Sequence, residues 1–452
     1  MLSLLKQKYH NLTSDKKFSE ILTGSAYSIV AQVASLCLTM LANIVIARIY
    51  GARALGILAV VNSFLMLVTV FTVMGTSTSI LRLIPEHIAN YSVTSAFRVY
   101  RKTQYFVAGV SLVTGLFFFL GSSFVANKIF SKPYLSSYFA IASVFVIFKS
   151  LMDLNTQAVR GLRLIKIFAI VQIIPSLAML VILVTSMLLF NGPAVPVYAQ
   201  LAAFGITAVI GVWIMDHTFK KRMQLTEVIK PMALSEILSI SMPMFMTSSM
   251  TFILGQTGVI MLGIFRPESE VGYYSIAVKL STLTALILQA VNTIAAPKFS
   301  ELYHKHKITE LFHVARKSTK LIFWSTTPIL LFLVALGKLI LIVMFGKDFA
   351  VAYPAMMFLV VGQFVNSISG PTGNFMNMTG HQKALRNIML FSALINIGLS
   401  FALIPRYGIN GAAVSGMISF SFLNIYTIWY IKNKFGSTIG YVPMLQKTME
   451  YT

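Results

Sequence analysis

The chain has 452 residues, 57% of them hydrophobic and 11% charged, with a formal net charge of +23 and a mean hydropathy of +0.79. These proportions exclude an ordinary water-soluble domain and require an all-α polytopic membrane protein. The single cysteine, Cys37, excludes a disulfide within one chain and any cysteine metal cluster.

A bilayer core of about 30 Å needs about 20 mostly apolar residues per helix. About twelve segments meet that standard, with cores at 24–46, 54–78, 103–125, 138–158, 167–190, 197–215, 239–262, 272–296, 321–345, 354–378, 388–404 and 410–431. The first is too long for a signal-peptide core and lacks a small-residue cleavage pattern behind it, so it is expected to stay in the mature protein. The segments between helices are short, about 24 residues at most, which leaves no room for a soluble catalytic domain.

The basic residues mark topology. Of the 36 Lys and Arg, 26 fall in alternate connections and 8 in the intervening ones, while Lys149 and Lys279 lie within helices. By the positive-inside rule both termini are expected in the cytoplasm. The charge therefore reads as an orientation signal, and no nucleic-acid partner is expected.

Helix starts recur at an offset of 216 residues, taking 24 to 240, 54 to 270, 103 to 319, 138 to 354, 167 to 383 and 197 to 413. The organisation expected is a cytoplasmic tail (1–23), a six-helix lobe (24–215), a cytoplasmic linker (216–238), a second six-helix lobe (239–431) and a cytoplasmic tail (432–452). An even number of helices per lobe gives a parallel pseudo-repeat about an axis along the membrane normal. Residue identity at this offset is very low, although Gly56 falls on Gly272 and Arg82 on Lys298.

Two lobes around a shared site should carry polar side chains on one face of each lining helix. The first helix has Ser25, Ser28, Gln32, Ser35, Thr39 and Asn43, and its repeat mate has Ser241, Ser248, Thr251 and Gly255. Asn62, Thr69, Thr72 and Thr76 follow in the second helix, and Ser275, Lys279, Thr282, Gln289 and Thr293 in the eighth. Close helix packing, or hydroxyls bonded to their own backbone, would produce similar residues one at a time.

The stretch FKSLMDLNTQ, residues 148–157, is the polar part of the fourth helix; shifted by 216, its Lys149–Gln157 portion meets VNSISGPTG at 365–373. The second window contains Asn366, continues through Asn374, Asn377 and Thr379, and is interrupted by Gly370, Pro371 and Gly373. A helix broken by Gly and Pro points to a transport site near the midplane, although a simple kink between packed helices has the same residues. Lys149 is about eleven residues into its helix, where a charge costs roughly 2.5–3.5 kcal/mol to insert. Asp153, four residues on, shares its face and can neutralise it. Lys279 is nearer an interface, and Arg48, Arg53, Arg82 and Arg266 sit at helix ends, where anchoring is the ordinary role. Candidate substrate-binding residues are Lys149, Asp153, Lys279, Gln32, Ser248, Asn366, Asn374 and Arg48. Cations beside amides and hydroxyls suit an anionic, sugar-bearing ligand. Neither cofactor nor metal is expected, and no catalytic residue stands out.

The runs IARIYGARALGILAVVNSF (46–64), EVGYYSIAVKLSTL (270–283) and GHQKALRNIMLFSALINIGLSFALIPRYGINGAAVSGMIS (380–419) resemble the polysaccharide-transport branch of the multidrug/oligosaccharidyl-lipid/polysaccharide flippase superfamily, the Wzx-type flippases. In LIPRYGINGAA, Pro405 is expected to end a helix, Gly408 and Gly411 to make the turn, and Ala412, Ala413, Ser415 and Gly416 to allow close packing. The resemblance implies a twelve-helix, two-lobe carrier that moves undecaprenyl-pyrophosphate-linked oligosaccharide units, of O-antigen or capsule type, across a bacterial inner membrane by alternating access. It implies membrane lipids as surroundings, and a polysaccharide polymerase and a chain-length regulator as candidate protein partners. No motif of that family matches Lys149 or Asp153 residue by residue. A multidrug and toxin extruder of the same superfamily is the nearest alternative. A major-facilitator carrier would need a Gly-Asp-Arg-Gly-rich turn that STSILRLIPEHIANYSV lacks, and a polymerase or ligase would need a long outward loop.

Overall fold

The computed structural model describes residues 16–441, apart from 188, 191 and 224–229. The distal parts of both expected tails and the middle of the expected linker thus lie outside the described residues, as do the side chains up to residue 26, Ser25 among them. The described chain is helical and contains no strand. In order come α1 (Lys16–Ile49), α2 (Gly51–Val73), α3 (Thr76–Asn90), α4 (Val93–Leu120), α5 (Leu135–Gly161), α6 (Ile165–Ser186), α7 (Val195–Arg222), α8 (Leu234–Phe265), α9 (Glu268–Ser281), α10 (Ala285–His304), α11 (Ile308–Ile340), α12 (Tyr353–Ser369), α13 (Thr372–Met378) and α14 (Gln382–Phe435). Eleven stretches among them are long and apolar enough to cross a membrane. Large apolar side chains that face outward, such as Leu112, Leu116, Phe117 and Leu120 on α4, and Leu331 and Leu339 on α11, would be costly in water and are at home against lipid. The chain is a multi-pass membrane protein.

Several boundaries follow local chemistry that hydropathy does not report. The second expected helix, 54–78, stops at Val73, because Met74 and Gly75 both adopt left-handed backbone (φ 46° and 76°) before α3 begins. The third starts ten residues before its apolar core, where the Ser92 hydroxyl caps α4 by accepting from the Ser95 amide at 3.0 Å. The last two expected helices run as one assigned element of 54 residues, about 80 Å long if straight and far beyond one bilayer crossing. It is not straight. Gly408 (φ 53°, ψ −129°) folds it into a hairpin, whose arms are tied by Ser392 to the Ser419 carbonyl at 2.5 Å and by the Ser400 and Ser415 hydroxyls at 2.9 Å. Pro405 does not end the first arm as expected, since it lies inside the helix and removes one backbone donor without forcing a turn. Gly411 belongs to the second arm, where an added Cβ would lie 2.5 Å from the Leu403 carbonyl oxygen.

The 216-residue register extends to irregular structure. A π-helical turn at Val125–Ile129 follows α4, and another at Leu341–Phe345 follows α11. Packing repeats as well: α1 lies on α6 as α8 lies on α14, and α5 lies on α7 as α12 lies on α14. The closest approach is reciprocal. A Cβ on Gly56 of α2 would come 1.7 Å from the Glu268 carbonyl oxygen, and one on Gly272 of α9 would come 2.2 Å from that of Ala52. Only glycines let these two backbones meet. Around that crossing runs the largest apolar cluster, including Leu55, Ile57, Val271 and Ile276.

Candidate functional site

Part of each polar stripe, Thr39 and Asn43, Asn62, Gly255, and Ser275 with Lys279, lines a cavity of about 310 Å³ walled by α1, α2, α6, α7, α8 and α9. Lys279 enters it from α9 and donates to Asn43 Oδ1 at 2.7 Å. Asn43 in turn donates to the Thr39 carbonyl at 2.5 Å, and the Thr39 hydroxyl meets that of Ser176 at 3.0 Å. Across the cavity Ser63 donates to Gln256 Oε1 at 2.7 Å. A cation held by one neutral amide keeps most of its charge available for an anionic guest.

Lys149 and Asp153 sit behind one wall of this cavity. The Lys149 ammonium lies 2.5 Å and 2.6 Å from the two Asp153 carboxylate oxygens and 5.5 Å from the ring centroid of Phe204, a residue of the central cavity. The pair opens into a small pocket of about 130 Å³ that it shares with Thr69, Ser77 and Ser248. Asp153 also faces a separate recess with Thr156, Gln157 and Gln172, and Pro175 forms a wall of both that recess and the central cavity. An ion pair closed on itself presents little net charge, yet either partner can exchange it for a ligand.

A third space, of about 590 Å³, opens between α8, α9, α10, α12, α13 and both arms of α14. Asn366 and Asn374 line it, with Gln289, Asn292, Gln363 and Asn424. The expected break in the tenth helix is present: Gly370 (φ 72°, ψ −150°) separates α12 from α13, and its Cα faces Thr319 so closely that a Cβ would lie 2.2 Å from Oγ1. The corresponding stretch of α5 is unbroken. Gln32 of α1 donates to Gln289 of α10, joining the polar stripe of the first helix to the edge of this space.

Arg48 is placed elsewhere. Its guanidinium donates to the carbonyls of Met344, at 3.1 Å, and Val343, at the π-helical turn after α11, and it lines none of these cavities. It thus braces α1 against a helix end, where cations are electrostatically welcome. Near the same end of the bundle the Lys132 ammonium lies 2.7 Å from buried Glu268, with Arg53 at 4.0 Å from its other oxygen. Lys132 also donates to the carbonyls of Gly263 and Arg266 at 2.8 and 2.6 Å. Tyr134 stands beside this cluster, and burial together with Glu268 pushes its phenol up to about 12.

Sequence reasoning missed Lys132, Glu268, Gln200, Gln256 and Ser176, which lie in loop stretches or in otherwise apolar helix stretches. A glutamate at the start of a helix carries no mark that it will be buried. Among the described residues no group of three or more His, Cys, Asp or Glu could hold a metal ion.

The model of the polysaccharide biosynthesis protein family matches residues 45–354. The chain belongs to that family. A curated relative, the probable low-salt glycan biosynthesis flippase Agl15 of Haloferax volcanii, is 24% identical over 175 residues, 39% of this chain and 37% of that protein. An uncharacterized membrane protein of Methanocaldococcus jannaschii, MJ1068, is 24% identical over 182 residues, 40% of this chain and 36% of that one. The chain thus matches little more than a third of the length of either. Among solved structures, the lipid II flippase MurJ in an inward closed conformation superposes with a TM-score of 0.72 at 16% identity, covering 89% of this chain and 87% of that one. An inward-facing multidrug resistance MATE family transporter of the MOP superfamily gives 0.71 at 13% identity, covering 90% and 98%. The fold is therefore that of MOP-superfamily transporters.

Proposed function

We propose that this family member is a flippase for lipid-linked oligosaccharides. Its cargo in this reading is an undecaprenyl-pyrophosphate-linked repeat unit of O-antigen or capsule type, moved across a bacterial inner membrane from the cytoplasmic to the periplasmic leaflet. The architecture is two six-helix lobes, with the arms of the α14 hairpin counted as separate crossings to make twelve, and with both termini cytoplasmic. The observation that carries the reading is the central cavity, in which the Lys279 ammonium is held by a single neutral amide among hydroxyls and amides. Pyrophosphate pairs with such a cation, and sugar hydroxyls pair with the amides.

In this mechanism pyrophosphate docks on Lys279 and draws Lys149 away from Asp153, while the lipid tail stays in the bilayer. The crossing of Gly56 and Gly272 is the contact that must open to release the unit at that end. Translocation involves no covalent chemistry. The relative's name as a glycan biosynthesis flippase agrees with this reading, and the scarcity of acidic residues within the helices disfavours drug-cation export.

Complementation of a flippase-deficient strain tests it. Lys279→Gln and Lys149→Gln should reach the membrane at normal levels yet fail to restore surface polysaccharide. Full restoration by both would refute the pyrophosphate role. Cys37→Ser supplies a cysteine-free background, in which single cysteines at Thr39, Asn62 and Gly255, which line the central cavity, should react with a water-soluble thiol reagent; uniform protection would refute a wet cavity.

A further inference from the structure

We propose that the space of about 590 Å³ beside the helix break is a subsite for an uncharged, N-acetylated sugar, and that it selects neutral sugars over uronic acids. The proposal rests on the reading above that the cargo is a lipid-linked oligosaccharide. It adds where the sugar sits and which sugar chemistry is admitted.

Three observations carry it. First, among the described residues no charged side chain lines this space, whereas Lys279 lines the central cavity and Lys149 and Asp153 line their own pocket. A carboxylate or phosphate moved into it would lose water and gain no cation, a penalty of several kcal/mol. Second, half of the polar lining side chains are primary amides, with Gln289, Asn292, Gln363, Asn366, Asn374 and Asn377 on three helices and Asn424 on α14, and the rest are hydroxyls. Each amide offers two N–H donors and a carbonyl acceptor, the complement of both a hydroxyl and an acetamido group. The Asn292 carbonyl oxygen is buried without a hydrogen-bond partner, a state that costs free energy until a donor arrives. Third, Leu254, Leu359, Met389 and Phe420 supply apolar walls between the amides. An acetamido methyl and the C–H face of a pyranose ring fit such walls, and a volume within the range of ligand pockets, about 300–1,000 Å³, accommodates them.

A hydrocarbon tail would match the leucines and strand the amides. Each amide facing a lipid chain forfeits its hydrogen bonds, so this lining disfavours the tail as occupant.

Two glycines make the test clean. Gly373 lines the space, has ordinary helical backbone, and has nothing within 4 Å of where its Cβ would lie, so Gly373→Leu projects a side chain into the space without displacing a neighbour. Gly370, with φ 72°, is avoided for the opposite reason. The full chain in nanodiscs is studied by saturation-transfer NMR with N,N′-diacetylchitobiose, and in parallel with a glucuronic-acid-containing disaccharide. The acetyl methyls of chitobiose should receive saturation from the wild-type chain, and the acidic disaccharide should not. Gly373→Leu should abolish the signal. Asn374→Leu, which removes one amide and leaves the backbone alone, should weaken binding about fivefold, the effect of one lost neutral hydrogen bond.

Absence of a chitobiose signal, a signal undiminished in Gly373→Leu, or equal binding of the acidic disaccharide would each overturn the proposal. Inorganic pyrophosphate, followed by phosphorus line broadening, reads the central cavity separately. Broadening that is lost in Lys279→Gln and kept in Gly373→Leu supports the docking role of Lys279. If pyrophosphate fails to broaden while chitobiose binding stays sensitive to Gly373→Leu, the pyrophosphate reading falls and the sugar subsite stands.

Discussion

Replacing Gly56 with alanine should force apart the tightest helix crossing in the molecule. The added Cβ would sit 1.7 Å from the Glu268 carbonyl oxygen, whereas real Cβ contacts essentially never fall below 3.0 Å. α2 and α9 must therefore separate locally by at least the difference, 1.3 Å. The obstacle is backbone, which cannot rotate away as a flexible side chain would. Overpacking of this kind costs about 1–3 kcal/mol. At a factor of ten per 1.4 kcal/mol, that shifts the balance between the closed crossing and any opened form by roughly 5- to 150-fold. The Glu268 contacts with Lys132 and Arg53 weaken at the same time, because Glu268 moves with α9. In the Cys37→Ser background, Val271→Cys reports the change, since Val271 is fully buried beside the crossing. Its reaction with a water-soluble maleimide should be at least about fivefold faster when Gly56→Ala is added, and the thermal midpoint should fall. Gly255→Ala is the control, as a Cβ there meets nothing within 4 Å. Equal labelling rates and equal midpoints for Gly56→Ala and the control would refute the close-approach argument.

Asp153→Asn should lower the midpoint by stranding the Lys149 ammonium, while Lys149→Gln with Asp153→Asn should recover most of that loss without recovering transport; recovery of both would make the pair purely structural. Gly370→Ala should cost about 1–3 kcal/mol because its backbone lies in a glycine-only region. Adding Thr319→Ala removes the hydroxyl oxygen and methyl that would lie 2.2 and 2.6 Å from the new Cβ and should restore part of the loss, and denaturation of the detergent-solubilised pair measures both. His87 lies at the end of α3, buried, 3.0 Å from the Ser95 hydroxyl. Burial lowers its pKa below 6.5, with Glu86 opposing and Lys230 adding to the shift. The unfolded chain therefore takes up the proton first as pH falls, so stability is full above about 6.5 and declines below it. His87→Gln should flatten that decline in thermal midpoints taken between pH 7.5 and 5, and an unchanged slope would refute the linkage.

Regular structure and some close chemistry were legible in the chain because they are local. Hydropathy marks the helices, since a bilayer imposes one length on all of them. The pairing of Lys149 with Asp153 follows from i,i+4 geometry, and the break at Gly370 from residues that cannot continue a helix. The turn at Met74–Gly75 escaped notice because methionine gives no hint of left-handed backbone, and Pro405 misled because a proline within a membrane helix can be tolerated.

The candidate site needed contacts between residues far apart in sequence. A polar stripe fixes which face of a helix is polar, and says nothing of what that face meets. Asn43 and Lys279 are 236 residues apart, and Gln32 and Gln289 are 257 apart. Arg48 and Lys279 are equally basic in the sequence, yet one braces a helix end and the other enters a cavity. The sequence by itself determined that this is a helical membrane protein with a 216-residue rhythm and cations within its spans, because hydrophobicity, charge and helical period act over a few turns. The tertiary structure alone decided that Lys279 enters the central cavity and Lys149 its own pocket while the third space is lined by amides, hydroxyls and apolar groups, because helix rotation and neighbours are set by packing across the whole chain.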